Sequence, residues 1–257
     1  MNLFDLTGKV ALVTGSTKGI GEAIVHRLAQ HGARVVVSSR KADACERVAA
    51  DINGKYGKGK QVAAPIPCNI NYKEQLEQLV VATRRTFGQI DILVCNAALN
   101  PYFGPQMEIP DDAFDKIMGA NVRSNHWLCQ LVLPEMVERK DGSIVIVSSI
   151  GGLRGSPVLG VYCISKAADF ALARNIAVEY GPHNIRANCI APGLIKTDFA
   201  RALWENPDIL KRSTSNAPLR RIGEPDEIAG AAVFLASKAG AFMTGQAIVI
   251  DGGVTIA

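Results

Sequence analysis

The stretch Lys9–Gly21, KVALVTGSTKGIG, decides the fold. Its first part, Lys9–Val13, is a short apolar run of the kind that forms a buried parallel strand. A glycine-rich turn follows. From Gly19 on, apolar residues recur with helical spacing until Gly32, which stands where helices commonly end. A strand, a tight turn and a helix in this order predict the first unit of a parallel α/β sheet.

The same alternation of short apolar runs and helical segments continues to the end of the chain. Six further strands are predicted, over Arg34–Ser38, Gln61–Ile66, Ile90–Cys95, Ser143–Ser148, Ile185–Ile190 and Ala247–Ile250. The longer helices between them are predicted over Lys41–Ile52, Lys73–Phe87, Asp112–Glu138, Val158–Tyr180 and Pro225–Ala236. No repeat or linker interrupts the pattern. The sequence therefore predicts one α/β domain over residues 1–257, a doubly wound Rossmann fold whose seven-stranded parallel sheet is flanked by helices.

Composition narrows the classes of partner. The chain has 257 residues, 48% of them hydrophobic, and a net charge of +4 that is too small and too dispersed to indicate nucleic acid. Its densest basic run, Lys55–Lys60, is interpreted as a solvated glycine-rich loop. Six scattered cysteines and four scattered histidines indicate reduced thiols and no metal site. Without a signal peptide or an apolar run of membrane-spanning length, the expected location is cytoplasmic, with no membrane partner.

The glycine-rich turn between the first strand and helix predicts a dinucleotide site. Glycines allow a close approach to a pyrophosphate, and a helix N-terminus offers free N–H groups and a positive dipole. The spacing here is G-x-x-x-G-x-G rather than the G-x-G-x-x-G of other dinucleotide folds. The cofactor-binding residues predicted in this turn are Gly15, Ser16, Thr17, Lys18, Gly19, Ile20 and Gly21.

The end of the second strand indicates which dinucleotide binds. An acidic residue at this point would hydrogen-bond the ribose 2′-hydroxyl of NAD. This chain has Ser39 and Arg40 there instead, and no acid before Asp43. A hydroxyl and a guanidinium suit a 2′-phosphate, and Lys18 adds a second cation. We therefore predict NADP(H). NAD(H) stays open, because Arg40 and Lys41 are also typical of a solvated helix start.

Tyr162 and Lys166 predict a site for proton transfer. They stand four residues apart in a predicted helix, so phenol and ammonium share one face. A nearby positive charge lowers a tyrosine pKa from its usual value near 10, which favours acid–base work near neutral pH. Ser149 follows an apolar strand and can reach the same place. Such pairs are also common on protein surfaces, and it is the glycine turn upstream that favours the catalytic interpretation.

Together these motifs resemble the short-chain dehydrogenase/reductase family. The matching residues, in order and spacing, are Thr14–Gly21, Asn96-Ala97-Ala98, Asn121, Ser149, Tyr162-x-x-x-Lys166 and Pro192-Gly193. Segments Ser38–Lys41, Asn96–Gly104 and Ala191–Thr197 are similar to its NADP-dependent carbonyl reductase/retinol dehydrogenase branch. Two features depart from the pattern: Ala98 replaces the glycine that usually ends Asn-Ala-Gly, and the C-terminus lacks that branch's peroxisomal signal.

The resemblance implies roles for these residues. Tyr162 would be the acid/base, Lys166 would lower its pKa and hold the nicotinamide ribose, and Ser149 would orient the substrate carbonyl. Asn121 would anchor a water that leads protons to Lys166. The other cofactor residues that it implies are Asn69 against adenine, Asn96, Ala97, Ala98, Pro192 and Gly193, and Ile195 and Thr197 at the carboxamide.

The expected activity is reversible hydride transfer between NADP(H) and a small carbonyl/alcohol pair, an alcohol dehydrogenase/reductase of the CH–OH class. The implied pocket is largely apolar and includes Asn100, Tyr102, Phe103, Ile150, Leu153, Leu159, Leu194, Phe199, Leu203 and Trp204, with a substrate lid over about 193–216. Alternatives are a 3-oxoacyl-thioester reductase and an NAD-dependent alcohol or sugar dehydrogenase. A cofactor-independent lyase or a non-catalytic NADP sensor fits less well, because the motifs are intact. Relatives are usually homotetramers, which is the expected assembly.

Overall fold

The predicted strands pair side by side into one parallel sheet. The computed structural model describes residues 2–257, apart from the side chain of Arg212, so Met1 of the predicted domain lies outside the described residues. The strands are β1 (Val10–Thr14), β2 (Arg34–Ser38), β3 (Ala63–Pro65), β4 (Ile92–Cys95), β5 (Gly142–Val147), β6 (Ile185–Pro192) and β7 (Ala247–Ile250). Their order in the sheet is β3-β2-β1-β4-β5-β6-β7, and every neighbouring pair is parallel. The predicted α/β fold is confirmed.

Helices connect the strands and cover the sheet. They are α1 (Gly19–Gln30), α2 (Ala42–Tyr56), α3 (Lys73–Phe87), α4 (Asp111–Met118), α5 (Ser124–Arg139), α6 (Gly160–Tyr180), α7 (Arg201–Trp204), α8 (Pro207–Ser215) and α9 (Pro225–Ala236). Short 3₁₀ turns lie at Gln106–Glu108, Ile150–Gly152, Gly181–His183, Asp198–Ala200 and Lys238–Gly240. Helices α7 and α8 fall within the lid that the sequence predicts.

Both faces of the sheet are buried because consecutive strand residues point to opposite sides. In β1, Ala11 and Val13 join a core with α1, α2 and α9. Val10 and Leu12 join a second core with α3, α5 and α6. Two cores on one sheet define the doubly wound architecture. They also hold the carboxyl ends of the strands rigidly in place.

The strand order reverses at β1, whose neighbours are β2 on one side and β4 on the other. The connections leave in opposite directions at this point, so a crevice opens above the carboxyl ends of β1 and β4. This is where open α/β sheets bind their ligands. The glycine turn after β1 and the segment from Asn96 after β4 both lie at this crevice.

The helix predicted over Asp112–Glu138 is interrupted. A π-helical turn, Gly119–Arg123, separates α4 from α5. Two hydrogen bonds explain the break. The Asn121 side chain bonds the backbone of Leu99, with its Oδ1 2.9 Å from the Leu99 nitrogen. The Asn121 carbonyl oxygen accepts from Asn125 Nδ2 at 2.7 Å. Such single-turn widenings frequently mark functional sites.

Other boundaries shift by a few residues. Helix α2 continues to Tyr56, so Lys55 of the basic run is helical and the predicted loop begins only at Gly57. Strand β3 is shorter than predicted and pairs only over Ala63–Pro65. At its start, the backbone N–H groups of Val62 and Ala63 both donate to the Asn53 side chain.

No helix in the described range 2–257 has the length and apolarity that crossing a membrane requires. The longest helix, α6, has 21 residues and carries Lys166, Asp169 and Glu179 along its length. Its role is to carry the candidate active site.

Candidate active site

The glycine turn has the shape that a dinucleotide pyrophosphate requires. Gly15 and Gly19 have φ angles of +64° and +56°, in the left-handed region that favours glycine. A Cβ on Gly21 would lie 2.3 Å from the Gly15 carbonyl oxygen. Lys18 precedes α1 in an extended conformation, and no side chain among the described residues caps this helix. The first N–H groups of α1 therefore fit an anion.

Hydrogen bonds hold the turn in this shape. Asn96 Nδ2 donates to the carbonyl oxygens of Thr14 and Gly15, each at 3.0 Å. The Thr14 hydroxyl accepts from the backbone nitrogens of Asn96 and Ala97. Ser16 is fully buried, and its hydroxyl bridges Val13 O and Ser38 N. Asn96 and Ser16 thus shape the turn with their side chains.

The end of β2 presents cations beside the turn. Arg40 is exposed, and in the described part of the chain its guanidinium forms no hydrogen bond or ion pair. Ser39 is half-buried, with its hydroxyl 3.4 Å from Cys45 Sγ. Arg47 donates to the carbonyl oxygen of Thr17 at 3.1 Å, which links α2 to the glycine turn. No sequence motif pointed to Arg47.

The segment that is predicted as a lid contacts the glycine turn directly. Lys18 Nζ lies 3.6 Å from Asp198 Oδ2, and a Cβ on Gly19 would lie 3.0 Å from Thr197 Cγ2. Thr197 caps the turn Asp198–Ala200 and accepts from Trp204 Nε1 through its carbonyl oxygen, at 2.8 Å. The start of the segment that is predicted as a lid therefore lies against the glycine turn.

The predicted catalytic side chains converge. Ser149 follows β5 in an extended conformation and accepts from Gly151 N at 3.0 Å. Its hydroxyl also hydrogen-bonds that of Tyr162, which projects from the first turn of α6. Lys166, one turn further along α6, places its Nζ 5.8 Å from the centre of the Tyr162 ring. Serine, phenol and ammonium thus face one another.

Lys166 is held deep in the protein. Its side chain is 3% exposed, and its Nζ donates to Val147 O at 2.9 Å and to Asp169 Oδ2 at 3.2 Å. Burial alone would lower the pKa of Lys166, but the charge of Asp169 and its hydrogen bond to the ammonium act in the opposite direction, and the pKa is raised. The side chain is therefore a fixed cation beside the phenol.

The sequence predicts a lowered pKa for Tyr162, and this prediction is wrong for the protein without cofactor. Burial raises the pKa of the phenol above its usual value. The charge of Lys166 and the hydrogen bond with Ser149 both act to lower it, without offsetting the burial. The phenol is consequently protonated at neutral pH. A protonated phenol is the form that can donate a proton to a carbonyl oxygen while the carbonyl is being reduced.

Asn121 lies in the π turn, and its side-chain amide is already hydrogen-bonded within the protein. Its Nδ2 donates to Leu99 O at 3.0 Å and to Ser165 Oγ at 3.1 Å. The backbone carbonyl of Asn121 accepts from Asn125, which also donates to Asp169 at 3.1 Å. Within the described structure, a chain of hydrogen bonds through Asn125 and Asp169 connects Asn121 to Lys166.

The remaining predicted residues lie around the same crevice. Asn69, after β3, accepts from Asn71 N through its Oδ1. Pro192 ends β6, Gly193 N donates to Ile250 O, and Ile195 is buried beside Gly223. Asn96, Ala97 and Ala98 follow β4. All these positions lie beyond the carboxyl ends of strands.

A shallow cleft lies next to Tyr162, which is one of the residues that line it. Of the predicted pocket residues, Asn100, Tyr102 and Leu159 line it. Phe199 of the lid approaches from another side, with its ring centre 6.2 Å from that of Tyr162. Leu194 lies elsewhere, in a second cleft that Arg221 and Asp251 also line.

Sequence reasoning missed Asp169 and Asn125, which support Lys166 from below. The available signal was an acid three residues after Lys166 in an otherwise apolar stretch of helix. On a surface helix this spacing indicates an ordinary ion pair. Only the fold shows that the pair is buried, with Asp169 1% exposed.

Comparisons with known proteins agree with this geometry. A family model described as enoyl-(acyl carrier protein) reductase matches residues 15–255. The chain is 45% identical over 248 residues to dehydrogenase/reductase SDR family member 4 of Bos taurus, covering 96% of this chain and 88% of that protein. A solved short-chain type dehydrogenase/reductase of Mycobacterium marinum is 36% identical, with a TM-score of 0.92 over 100% of this chain and 99% of its own.

A further solved structure carries ligands. The gluconate 5-dehydrogenase of Burkholderia cenocepacia J2315, in complex with NADP and tartrate, is 30% identical, with a TM-score of 0.93 over 100% of this chain and 98% of its own. A Rossmann sheet with this glycine turn and these proton-transfer groups defines an oxidoreductase. The chain belongs to the short-chain dehydrogenase/reductase family.

Proposed function

We propose that this protein is an NADP(H)-dependent oxidoreductase that interconverts a ketone or aldehyde and the corresponding alcohol, with Tyr162 as the acid/base. The observation that carries the proposal is the Tyr162 phenol, held between the Ser149 hydroxyl and the Lys166 ammonium beside a glycine turn that fits a dinucleotide. These three groups supply what carbonyl reduction needs from a protein: a proton, a hydrogen-bond donor and a fixed positive charge.

The glycine turn, the N-terminus of α1, Ser39, Arg40 and Lys18 would hold NADP(H), which when bound supplies or accepts the hydride. Ser149 orients the substrate oxygen and stabilises the negative charge that develops on it. Tyr162 gives its proton to that oxygen during reduction and takes it back during alcohol oxidation. Lys166 favours the phenolate that is left behind. Asn121 shapes the backbone around the pocket through Leu99.

The preference for NADP(H) rests on unpaired charge at the end of β2. Arg40 is exposed and available for a 2′-phosphate, and no acid stands where NAD would need one. Lys18 adds a cation that Asp198 shares. The complex of a relative with NADP supports the same assignment.

The substrate that we propose is a hydrophobic ketone, aldehyde or alcohol, as in the carbonyl reductase/retinol dehydrogenase branch. Phe199 beside Tyr162 and the apolar residues around the cleft support it. A second candidate is a 3-oxoacyl thioester, which the acyl-carrier description of the matching family model favours. Residues 193–216, which include α7 and α8, are proposed as the substrate lid.

We also propose a cytoplasmic homotetramer. The large apolar side chains of Ile164 and Val178 are exposed on one face of α6, and those of Phe242, Val249 and Ile256 are exposed near the C-terminal strand. Burial of these side chains against further copies would account for their exposure. Light scattering on the purified protein measures the assembly, and a monomer would refute it.

The test of the function is absorbance loss at the reduced-nicotinamide band. NADPH and, separately, NADH are offered with aryl ketones, α-dicarbonyls, retinal-like aldehydes and 3-oxoacyl thioesters. We expect turnover with NADPH and a hydrophobic carbonyl. Preference for the thioester selects the second candidate, and preference for NADH refutes the role of Arg40. Absence of turnover with every substrate refutes the proposed reaction.

A further inference from the structure

A buried carboxylate lies directly beneath the proton-transfer groups. The Asp169 side chain is 0% exposed. Its Oδ2 accepts from Lys166 Nζ at 3.2 Å, and its Oδ1 accepts from Asn125 Nδ2 at 3.1 Å. Burial raises the pKa of this carboxyl, while the charge of Lys166 and the hydrogen bonds of Lys166 and Asn125 favour its ionised form. Both of its oxygens have a partner here.

The partners of Asp169 tie it to the catalytic elements. Asn125 also donates to the carbonyl oxygen of Asn121, at 2.7 Å, in the π turn. Lys166 donates a second hydrogen bond to Val147 O, at the end of β5. Val147 and Asp169 therefore take two of the three ammonium hydrogens of Lys166. The third is left to act at the phenol and the cofactor ribose.

We propose that Asp169 is a positioning residue for the reaction proposed above: with Asn125 it fixes the Lys166 ammonium in place and keeps it charged. The inference rests on the proposed function only for its effect on turnover. Its effect on Tyr162 and Lys166 belongs to the folded protein without cofactor. Without the carboxylate, Lys166 is a buried cation with only a backbone carbonyl to hold it. Burial then favours loss of its proton.

Two buried thiols on neighbouring strands also lie near Asp169. Cys189 on β6 donates to the carbonyl oxygen of Asp169, and burial raises the pKa of its thiol. Cys95 on β4 has a raised pKa because of its hydrogen bond with the Cys129 thiol on α5 and its burial. On α6, the titratable groups that interact electrostatically with Asp169 are Tyr162 and Lys166.

The test variant is Asp169→Asn, which keeps the shape and removes the charge. Tyr162 titration is read without cofactor as tyrosinate absorbance, taken as the difference between each protein and its Tyr162→Phe form. We expect the midpoint to move up by about one pH unit, because the Lys166 charge is lost. A midpoint that is unchanged or moves down overturns the proposal, because Asp169 then only fills space or acts by its own charge.

Turnover provides the second readout. In Asp169→Asn we expect kcat/KM to fall on the order of 100-fold, because the ammonium is misplaced. We also expect the pH profile of alcohol oxidation to move to higher pH. The double variant Asn125→Asp/Asp169→Asn returns one carboxylate to the pair. We expect it to recover part of the lost kcat/KM and to reverse part of the shift in the pH profile. Equal loss in the single and double variants overturns the proposal.

Two controls separate the possible failures. If Asp169→Asn does not fold, Asn125→Ala leaves the ion pair intact but frees one carboxylate oxygen, and we expect a smaller shift of the Tyr162 midpoint in the same direction. No shift in that variant overturns the role of Asn125. If the wild-type protein reduces no carbonyl, the proposed function fails, whereas the titration still decides the role of Asp169.

Discussion

The two ends of the candidate site differ in burial. At the inner end, Lys166 and Asp169 are almost fully buried and their polar atoms are paired. At the outer end, Arg40 is exposed and the side chain of Lys18 is 68% exposed, with its Nζ 3.6 Å from Asp198 Oδ2. The inner end has a single arrangement before any ligand arrives, whereas the outer end is free to adapt.

The difference follows from the work that we propose for each end. Proton transfer needs groups fixed within a fraction of an ångström, and burial of α6 against one face of the sheet favours this. Recognition of a charged phosphate needs cations with a small desolvation cost on binding, and exposed side chains meet that need. We therefore expect changes at the inner end to alter kcat and changes at the outer end to alter cofactor affinity.

Tyr162→Phe is the strongest test of the inner end. The ring remains and only the proton donor is lost, so we expect kcat to fall about 100- to 10,000-fold. NADPH affinity, measured by fluorescence, should stay within about twofold of wild type because the outer end is untouched. Loss of NADPH binding together with kcat would show that Tyr162 is structural. Tyr180→Phe is the matched control, because this tyrosine ends α6, at the opposite end of the helix from Tyr162.

Ser149→Ala should reduce kcat about 100-fold, since it removes the donor to the substrate oxygen. It should also shift the pH dependence. The Ser149 hydrogen bond lowers the pKa of Tyr162, so its removal raises that pKa further. Alcohol oxidation needs the phenolate, and its profile should therefore move to higher pH. A shift to lower pH would contradict the hydrogen bond between Ser149 and Tyr162. Ser156→Ala, on the loop before α6, is the control.

Arg40→Ala tests the outer end. Loss of one charge-assisted contact to the 2′-phosphate should lower kcat/KM for NADPH about 10- to 100-fold. The value for NADH should hardly change, because NADH has no phosphate at that position. Lys41→Ala removes the neighbouring exposed cation and is the matched control. Equal losses for both dinucleotides would mean that Arg40 supports the fold of the turn rather than the phosphate.

Asp198→Asn should give the smallest effect. It removes the anion 3.6 Å from Lys18, which frees that cation for the cofactor. We expect the KM for NADPH to fall about two- to fivefold, as is typical for an exposed ion pair. Asp208→Asn, elsewhere in the lid, should leave KM unchanged. A rise in KM would show that the ion pair acts chiefly by holding the lid closed.

Much of this architecture could be predicted from sequence because its signals are local. The apolar runs and the turn at Gly15 predict the sheet and the crevice, and Tyr162 and Lys166 share a helix face by spacing alone. The failures concern burial. The pKa of Tyr162 was expected to fall because Lys166 is near, but the sequence does not show that burial outweighs the charge. Asp169 was overlooked because the same spacing on an exposed helix forms an ordinary ion pair.

The π turn at Gly119–Arg123 could not be predicted for a similar reason. It depends on a contact between distant segments, from Asn121 to Leu99, together with the bond from Asn125 to the Asn121 carbonyl oxygen. Helical spacing of apolar residues continues through it, so the pattern predicts an unbroken helix. The contact between Lys18 and Asp198 is equally non-local, because it joins residues 180 positions apart.

The central claim is that the inner end carries the chemistry and the outer end the cofactor choice. It is tested most directly by measuring kcat and the NADPH dissociation constant side by side for wild type, Tyr162→Phe and Arg40→Ala. We expect Tyr162→Phe to lose kcat and keep the dissociation constant, and Arg40→Ala to weaken binding and keep kcat. Variants that change both quantities to the same extent would contradict the division between the two ends.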